Sequence, residues 1–427
     1  MLRLRTTRNT VRALGIPTLT SGLAAGLSVL FFIGLSAAFG DRMLGEIILV
    51  QAIVQIVVVT CVPQCFVYLL GSRDDTDTAQ RYSQGAVAEL GGVALALLVL
   101  GVGLNLPIPG LSTVQAGAVP MFVSLAVQAL GSCQARLRTL ERWPRYMLWV
   151  LLPNMVRVPL IWATPLAQSV GYLPDFAGDR AAIIVTYFVI PDILRLALIY
   201  IPNLVSHFVR PQDECFLGGL RQILRNWWFD IGSALTEIAD KIVVGAMLGP
   251  ELLVVYFFAR RIGIVAIMVI EPLYAESFRR MQKIDSSLRT AASELRIFGN
   301  GLAMAISLFI VMATLFSGAL LVPAVAVTIP EPIIVHRLLF FMVLFFDCVV
   351  SANRWSRYAA QLRGKSATLF AIRIMLFSVF TLGVWMFGSN GGGIGIAVAF
   401  GIAWALEALV LLRWLSRPVD TPEGQVL

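Results

Sequence analysis

Residues 15–39 read GIPTLTSGLAAGLSVLFFIGLSAAF, 25 positions without one Asp, Glu, Lys or Arg. A helix rises about 1.5 Å per residue, so about 20 apolar residues cross the hydrocarbon layer of a bilayer. This run is a membrane span. A basic stretch precedes it (Arg3, Arg5, Arg8, Arg12), and Ala37 and Ala38 near its end mimic a signal-cleavage site. The apolar core of a cleaved signal is about 7 to 15 residues; this one has spanning length and enters a second apolar run almost directly, so it is expected to stay in the protein.

Outward from this segment, apolar runs follow one another as far as Leu412. The 427 residues are 58% hydrophobic and 14% charged, with a mean hydropathy of +0.83. No single soluble core hides that much apolar surface, and almost nothing is left over for a soluble domain. The expected fold is an all-α polytopic membrane protein of about twelve helices. The spans are Gly15 to Phe39, Gly45 to Leu70, Val87 to Leu104, Gln115 to Cys133, Tyr146 to Gln168 and Ala181 to Asn203. After a polar linker come Asn226 to Leu248, Leu252 to Ala275, Phe298 to Val322, Ile333 to Ala352, Ala367 to Phe387 and Gly391 to Leu412.

Lys and Arg accumulate in cytoplasmic loops, which tests the count. The N-terminal segment and every second loop thereafter hold 24 of them, from Arg3 to Arg417; the intervening loops hold only Arg42, Arg180 and Arg337. A missed or invented span would invert the alternation, so both termini are expected in the cytoplasm. The net charge of +8 belongs to these short loops, which argues against nucleic-acid binding. Five cysteines, Cys61, Cys65, Cys133, Cys215 and Cys348, are odd in number and sit in apolar or cytoplasmic stretches, so they read as small apolar residues rather than a disulfide framework. With only His207 and His336 and no clustered Cys/His ligands, a metal site has little support, and no cofactor is expected.

The segment from Leu204 to Leu224 divides the spans six and six, giving an expected N-terminal bundle over 1–203, a cytoplasmic linker over 204–224 and a C-terminal bundle with a short tail over 225–427. A faint repeat accompanies the division: Met43-Leu44-Gly45-Glu46 between spans 1 and 2, and Met247-Leu248-Gly249-Pro250-Glu251 between spans 7 and 8. Transporters are often built from two such halves, with the substrate site between them.

Spans 7 and 8 contain Asp240-Lys241-Ile242-Val243-Val244-Gly245-Ala246-Met247-Leu248-Gly249, then Tyr256-Phe257-Phe258-Ala259-Arg260-Arg261, with Pro272 farther on. An Asp near the end of span 7, a Leu-Gly turn and a Tyr-x-x-Ala followed by a basic residue resemble the bacterial polysaccharide flippases, a family in the superfamily of multidrug and toxin exporters and the lipid II flippase. About 40 residues carry the motif-like part. Span 2 departs from the pattern, with Val62-Pro63-Gln64-Cys65 where a Gly-Leu step is expected. The resemblance implies transfer of an undecaprenyl-pyrophosphate-linked oligosaccharide from the inner to the outer leaflet of a bacterial plasma membrane. It also implies ion coupling, with proton or sodium left open, and association with other polysaccharide-assembly proteins.

Charged residues inside spans are expensive, roughly 2.5 to 3.5 kcal/mol each at mid-span, so they seek partners or water. Asp230, Glu237 and Lys241 fall on one face of span 7, with Glu237 and Lys241 an i,i+4 pair. Lys241 lies about 10 Å, and Arg260 and Arg261 about 13 Å, below the outer ends of their spans. Arg157, flanked by Pro153, Asn154 and Pro159 in span 5, is their counterpart in the first half. One reading places Arg157, Lys241, Arg260 and Arg261 around a central anion-attracting cavity, with Glu237 and Asp240 balancing its charge or carrying the coupling ion; Arg offers bidentate donors and Lys a compact charge to a pyrophosphate. The other reading makes Glu237–Lys241 a structural pair and Arg157 a locally paired residue at a kink. Asp347, Arg373 and Glu407 near the cytoplasmic side form a candidate gate, Asp192–Arg195 reads as a structural pair, and Gly22 and Gly26 as a helix-packing motif. The competing functions are a drug or small-solute exporter and a membrane-embedded polymerase or glycosyltransferase. The short outside loops offer no convincing acid and base pair for the enzyme.

Overall fold

The computed structural model describes residues 2–63, 65, 69, 75–104, 112–169, 179–208, 213–283, 291–326, 328–355, 358–359 and 366–416. Arg73, Arg210, Arg289, Arg357, Arg363, Lys365 and Arg417, which count toward the expected topology, lie outside them, as do residues 105–111 and Gln64. Among the described residues every regular element is helical.

Each of the twelve expected spans contains a helix; the second is helical from Gly45 to Cys61, and most of the remainder expected up to Leu70 lies outside the described residues. The first three are α1 (Leu2–Phe39), α2 (Asp41–Cys61) and α3 (Asp75–Leu104). The fourth, α4 (Ser112–Ala129), breaks at Leu130 and resumes over Gly131–Thr139. Next come α5 (Trp143–Ser169) and α6, which runs from Arg180 to His207 and widens into π turns at Val185–Val189 and Leu196–Tyr200. In the second half α7 is Asp213–Leu248, α8 Pro250–Lys283 and α9 Ala291–Leu320. The tenth, α10 (Arg337–Ala352), follows the short helix Glu331–Val335 across His336. Last are α11 (Ser366–Gly383, with a π turn at Val384–Gly388) and α12 (Ser389–Leu415).

Nine of these helices are long and apolar enough to cross a bilayer by composition alone, counted over the described residues. The other three, α7, α8 and α10, are the spans carrying Asp240 and Lys241, Arg260 and Arg261, and Asp347. Helices suit the lipid because each satisfies its own backbone polar groups. Their outer faces are apolar as well: Leu19, Leu315 and Leu409 are each more than 60% exposed, while Phe31, Leu35 and Val54 are buried.

The described residues form two compact units. One comprises Met1–Ala25, Ala246–Leu248 and Leu252–Leu427; the other, which we call the N-terminal unit, comprises Gly26–Gly245 and Gly249–Glu251. The second part of the 204–224 segment is not a loop, because α7 already begins at Asp213.

Two sequence expectations change. Gly40 (φ 85°) and Gly249 (φ 89°) are the positive-φ turns joining the first two helices of each half, so they are the matching positions. Only glycine adopts that backbone cheaply. Met43-Leu44-Gly45-Glu46 lies beyond its turn, inside α2, whereas Met247-Leu248 precedes its turn; the four-residue match is therefore out of structural register. Gly22 and Gly26 are not close-packing positions, since a Cβ on either meets nothing within 4 Å. Close approach occurs instead at Gly45, where a Cβ would lie 2.5 Å from the Pro250 carbonyl oxygen, and at Gly92, where it would lie 2.6 Å from that of Cys61.

Candidate functional site

In the N-terminal unit the charges gather around Asp192, whose exposure is 0%. Pro191 starts the chain of causes. It has no N–H, so the Tyr187 carbonyl four residues earlier lacks its helical donor. Arg157 of α5 supplies the bond, Nε donating to Tyr187 O at 3.0 Å and Nη2 to Phe188 O at 3.2 Å. The same Nη2 reaches Asp192 Oδ2 at 2.6 Å. That oxygen also accepts from Ser124 Oγ at 2.6 Å and Gln128 Nε2 at 3.0 Å, both on α4. Arg195, one turn along α6, pairs with Asp192 Oδ1 at 3.1 Å, and its guanidinium stands 4.7 Å from the centre of the Trp149 ring. Two buried guanidiniums thus share one buried carboxylate, a surplus of one positive charge. Asp192 and Arg195, read from the sequence as a separate structural pair, form one cluster with Arg157.

A second buried network lies in the same unit. Glu89 of α3, at 0% exposure, meets the N-terminus of Gly131–Thr139: Ser132 N–H donates to Oε1 at 2.8 Å, and Ser132 Oγ lies 2.6 Å from Oε2. One turn beyond Ser132, Arg136 donates to Asn203 Oδ1 at 2.7 Å and stacks 5.0 Å from the Tyr82 ring centre. Asn203 Nδ2 reaches Tyr82 Oη and Cys133 Sγ, each at 3.4 Å.

In the other unit, Arg260 Nε pairs with Asp347 Oδ1 at 2.9 Å. Its Nη1 donates to Tyr256 Oη at 3.4 Å, and Phe400 lies under it, ring centre at 5.3 Å. Gly263 makes this approach sterically possible: a Cβ there would lie 2.3 Å from Asp347 Oδ2. Arg373 and Glu407 face each other at 3.9 Å. Of the three residues expected at one cytoplasmic gate, two pair together and Asp347 pairs with Arg260.

The remaining expected site residues are placed as follows. Asp240 is buried and accepts from the Lys241 backbone N–H at 2.7 Å; Lys241 and Arg261 are half-buried. Glu237 lies on α7, and its side chain is outside the described residues. Among those residues no group of three or more His, Cys, Asp or Glu could hold a metal ion.

Glu89 and Asn203 are functional candidates that sequence reading missed, and Arg136 was read only as a topology charge. Glu89 looked harmless because span 3 was expected to begin at Val87. The helix begins at Asp75 instead, so Glu89 lies several turns inside it.

No family model and no curated protein matches the sequence. Solved structures do match the fold. An inward-facing multidrug resistance MATE family transporter of the MOP superfamily superposes with a TM-score of 0.62 at 14% identity, over 95% of this chain and 97% of that one. A MOP superfamily transporter from Pyrococcus furiosus Vc1 (DSM3638) gives 0.59 at 13% identity, over 95% and 96%. The lipid II flippase MurJ, in an inward closed conformation, gives 0.59 at 14% identity, over 93% and 87%. The chain therefore has the polytopic helical fold of MOP-superfamily transporters. At these identities the likeness is one of fold.

Proposed function

We propose that this chain flips a lipid-linked, undecaprenyl-pyrophosphate oligosaccharide across the bacterial plasma membrane for surface polysaccharide assembly. The protein is multi-pass with both termini cytoplasmic, and segment 204–224 joins two six-span halves. The observation that carries the reading is the buried charge balance at Asp192, two guanidiniums to one carboxylate, because an anionic headgroup neutralises that surplus and a cationic drug adds to it. The lipid II flippase MurJ has a similar fold. Arg157, Lys241, Arg260 and Arg261 attract the headgroup, and Glu237 and Asp240 set the charge balance or take a coupling proton or sodium ion. Other polysaccharide-assembly proteins supply and consume the cargo.

The test is deletion in the host followed by complementation. Loss of surface polysaccharide with unchanged drug susceptibility is the expected result; unchanged polysaccharide with raised susceptibility to cationic drugs would replace this reading with the exporter. Among complementing variants, Lys241→Ala, Arg260→Ala, Arg261→Ala and Arg157→Ala are compared with the double change Glu237→Ala plus Lys241→Ala, scoring membrane abundance beside export. Export lost at normal abundance marks a site charge, and full rescue by the double change marks Glu237–Lys241 as a structural pair.

A further inference from the structure

We propose that Glu89 is a proton-binding site in the interior of the N-terminal unit, with Arg136 as the counter-ion that its carboxylate takes up when the proton leaves. The inference is independent of which cargo the protein moves, and this site is separate from Glu237 and Asp240.

The argument begins with pairing. Asp192 has two arginines, Asp347 has Arg260 and Glu407 has Arg373. Glu89 is as deeply buried as any of them and, among the described residues, has no ion-pair partner. An unpaired carboxylate in an apolar helical interior costs several kcal/mol, and a group so placed neutralises by taking a proton.

The geometry accommodates the neutral acid. Oε1 accepts the Ser132 N–H at 2.8 Å, and Oε2, 2.6 Å from Ser132 Oγ, can donate its proton to that hydroxyl. The neighbours are otherwise neutral. Cys65, after α2, hydrogen-bonds to Glu89; Tyr82 shares its helix; Cys133 faces it from the fourth span and Tyr200 from α6. The permanent charges beside them are Arg136, next to Tyr82 and Cys133, and Arg195 of α6, which acts on Cys133 and is already paired with Asp192.

Arg136 stands one helical turn from Ser132, so it and the Ser132 hydroxyl project from one helix face. In this conformation it is turned to Asn203 and Tyr82, and its buried Nε has no hydrogen-bond partner. When the Glu89 O–H bond breaks, the electron pair stays on the carboxylate, a water molecule takes the proton as hydronium and Arg136 keeps its own protons. The new anion then has a cation one turn along the helix from the Ser132 that holds it, with its Nε donor free. Proton loss thereby exchanges the Arg136–Asn203 bond, which links the fourth span to α6, for an Arg136–Glu89 bond, which links it to α3.

The test is infrared difference spectroscopy of the full-length protein in liposomes, wild type against Glu89→Gln, from about pH 5 to pH 9. We expect a carbonyl-stretch band of a protonated carboxyl that the Gln variant lacks, fading as pH rises. In Arg136→Gln the band should persist to higher pH, because the waiting counter-ion is gone. A wild-type difference spectrum with carboxylate bands alone across the range would make Glu89 a permanently ionised helix cap, and a carboxyl band that never fades would make its proton structural; either overturns the proposal. If Glu89→Gln fails to accumulate, Glu89→Asp serves instead, since it must shift the same band.

Discussion

Replacing Asp192 by Asn keeps the shape of the side chain and removes its charge. The wild-type cluster carries +1, from Arg157, Arg195 and Asp192; the variant carries +2 in a site where the arginines are only 9% and 8% exposed. Each attraction lost is about 4 kcal/mol at 4 Å with an effective dielectric of about 20. Relaxation reduces that, and removing one partner of a buried pair costs about 3–5 kcal/mol. The bonds from Arg157 to the Tyr187 and Phe188 carbonyls survive, which favours the lower part of the range. Adding Arg195→Gln returns the cluster to +1 and should recover about 1–3 kcal/mol, visible as non-additivity in a double-mutant cycle. Thermal unfolding of the four proteins in one detergent, with membrane abundance in parallel, measures it. If Asp192→Asn melts with the wild type, or the two changes simply add, the cluster does not hold α5 and α6 in the way its geometry requires.

Three other outcomes follow from particular positions. Gly263→Ala puts a methyl 2.3 Å from Asp347 Oδ2 and should lower thermal stability by about 1–3 kcal/mol while separating Arg260 from Asp347; an unchanged melt would show that Asp347 does not need the space at Gly263. Gly249→Ala, at φ 89°, should cost about 1–2 kcal/mol in the same melt, whereas Gly299→Ala, where a Cβ meets nothing within 4 Å, should not lower it. Single cysteines at positions 108 and 389 should react with an impermeant thiol reagent from outside, and those at 140 and 360 only from the cytoplasm; Arg138→Cys and Arg363→Cys labelling from opposite sides would break the topology.

The fold was legible because lipid imposes one rule on every span: a helix of sufficient apolar length. Each of the twelve runs read from the sequence contains a helix, including the charge-bearing α7, α8 and α10. Pairing was less legible. Arg157 and Asp192 are 35 residues apart and Arg260 and Asp347 are 87 apart, separations at which sequence carries no register between helices. Depth alone grouped Asp347 with Arg373 and Glu407; the absent side chain at Gly263, a detail of close packing, sends it to Arg260. A cue for Arg157 was present in Pro191, whose missing N–H predicts an orphaned carbonyl at Tyr187, although not which donor fills it.

The two π turns of α6 have an evolutionary consequence. Each widens the helix by accommodating one residue beyond the α repeat, and they stand at Val185–Val189 and Leu196–Tyr200, on either side of Asp192. An ancestor with a plain α-helix here would have turned this acid to another face. When homologues are collected, those retaining the aspartate should align through α6 without gaps, whereas lineages lacking a turn should show a single-residue deletion beside it and a different residue facing Arg157.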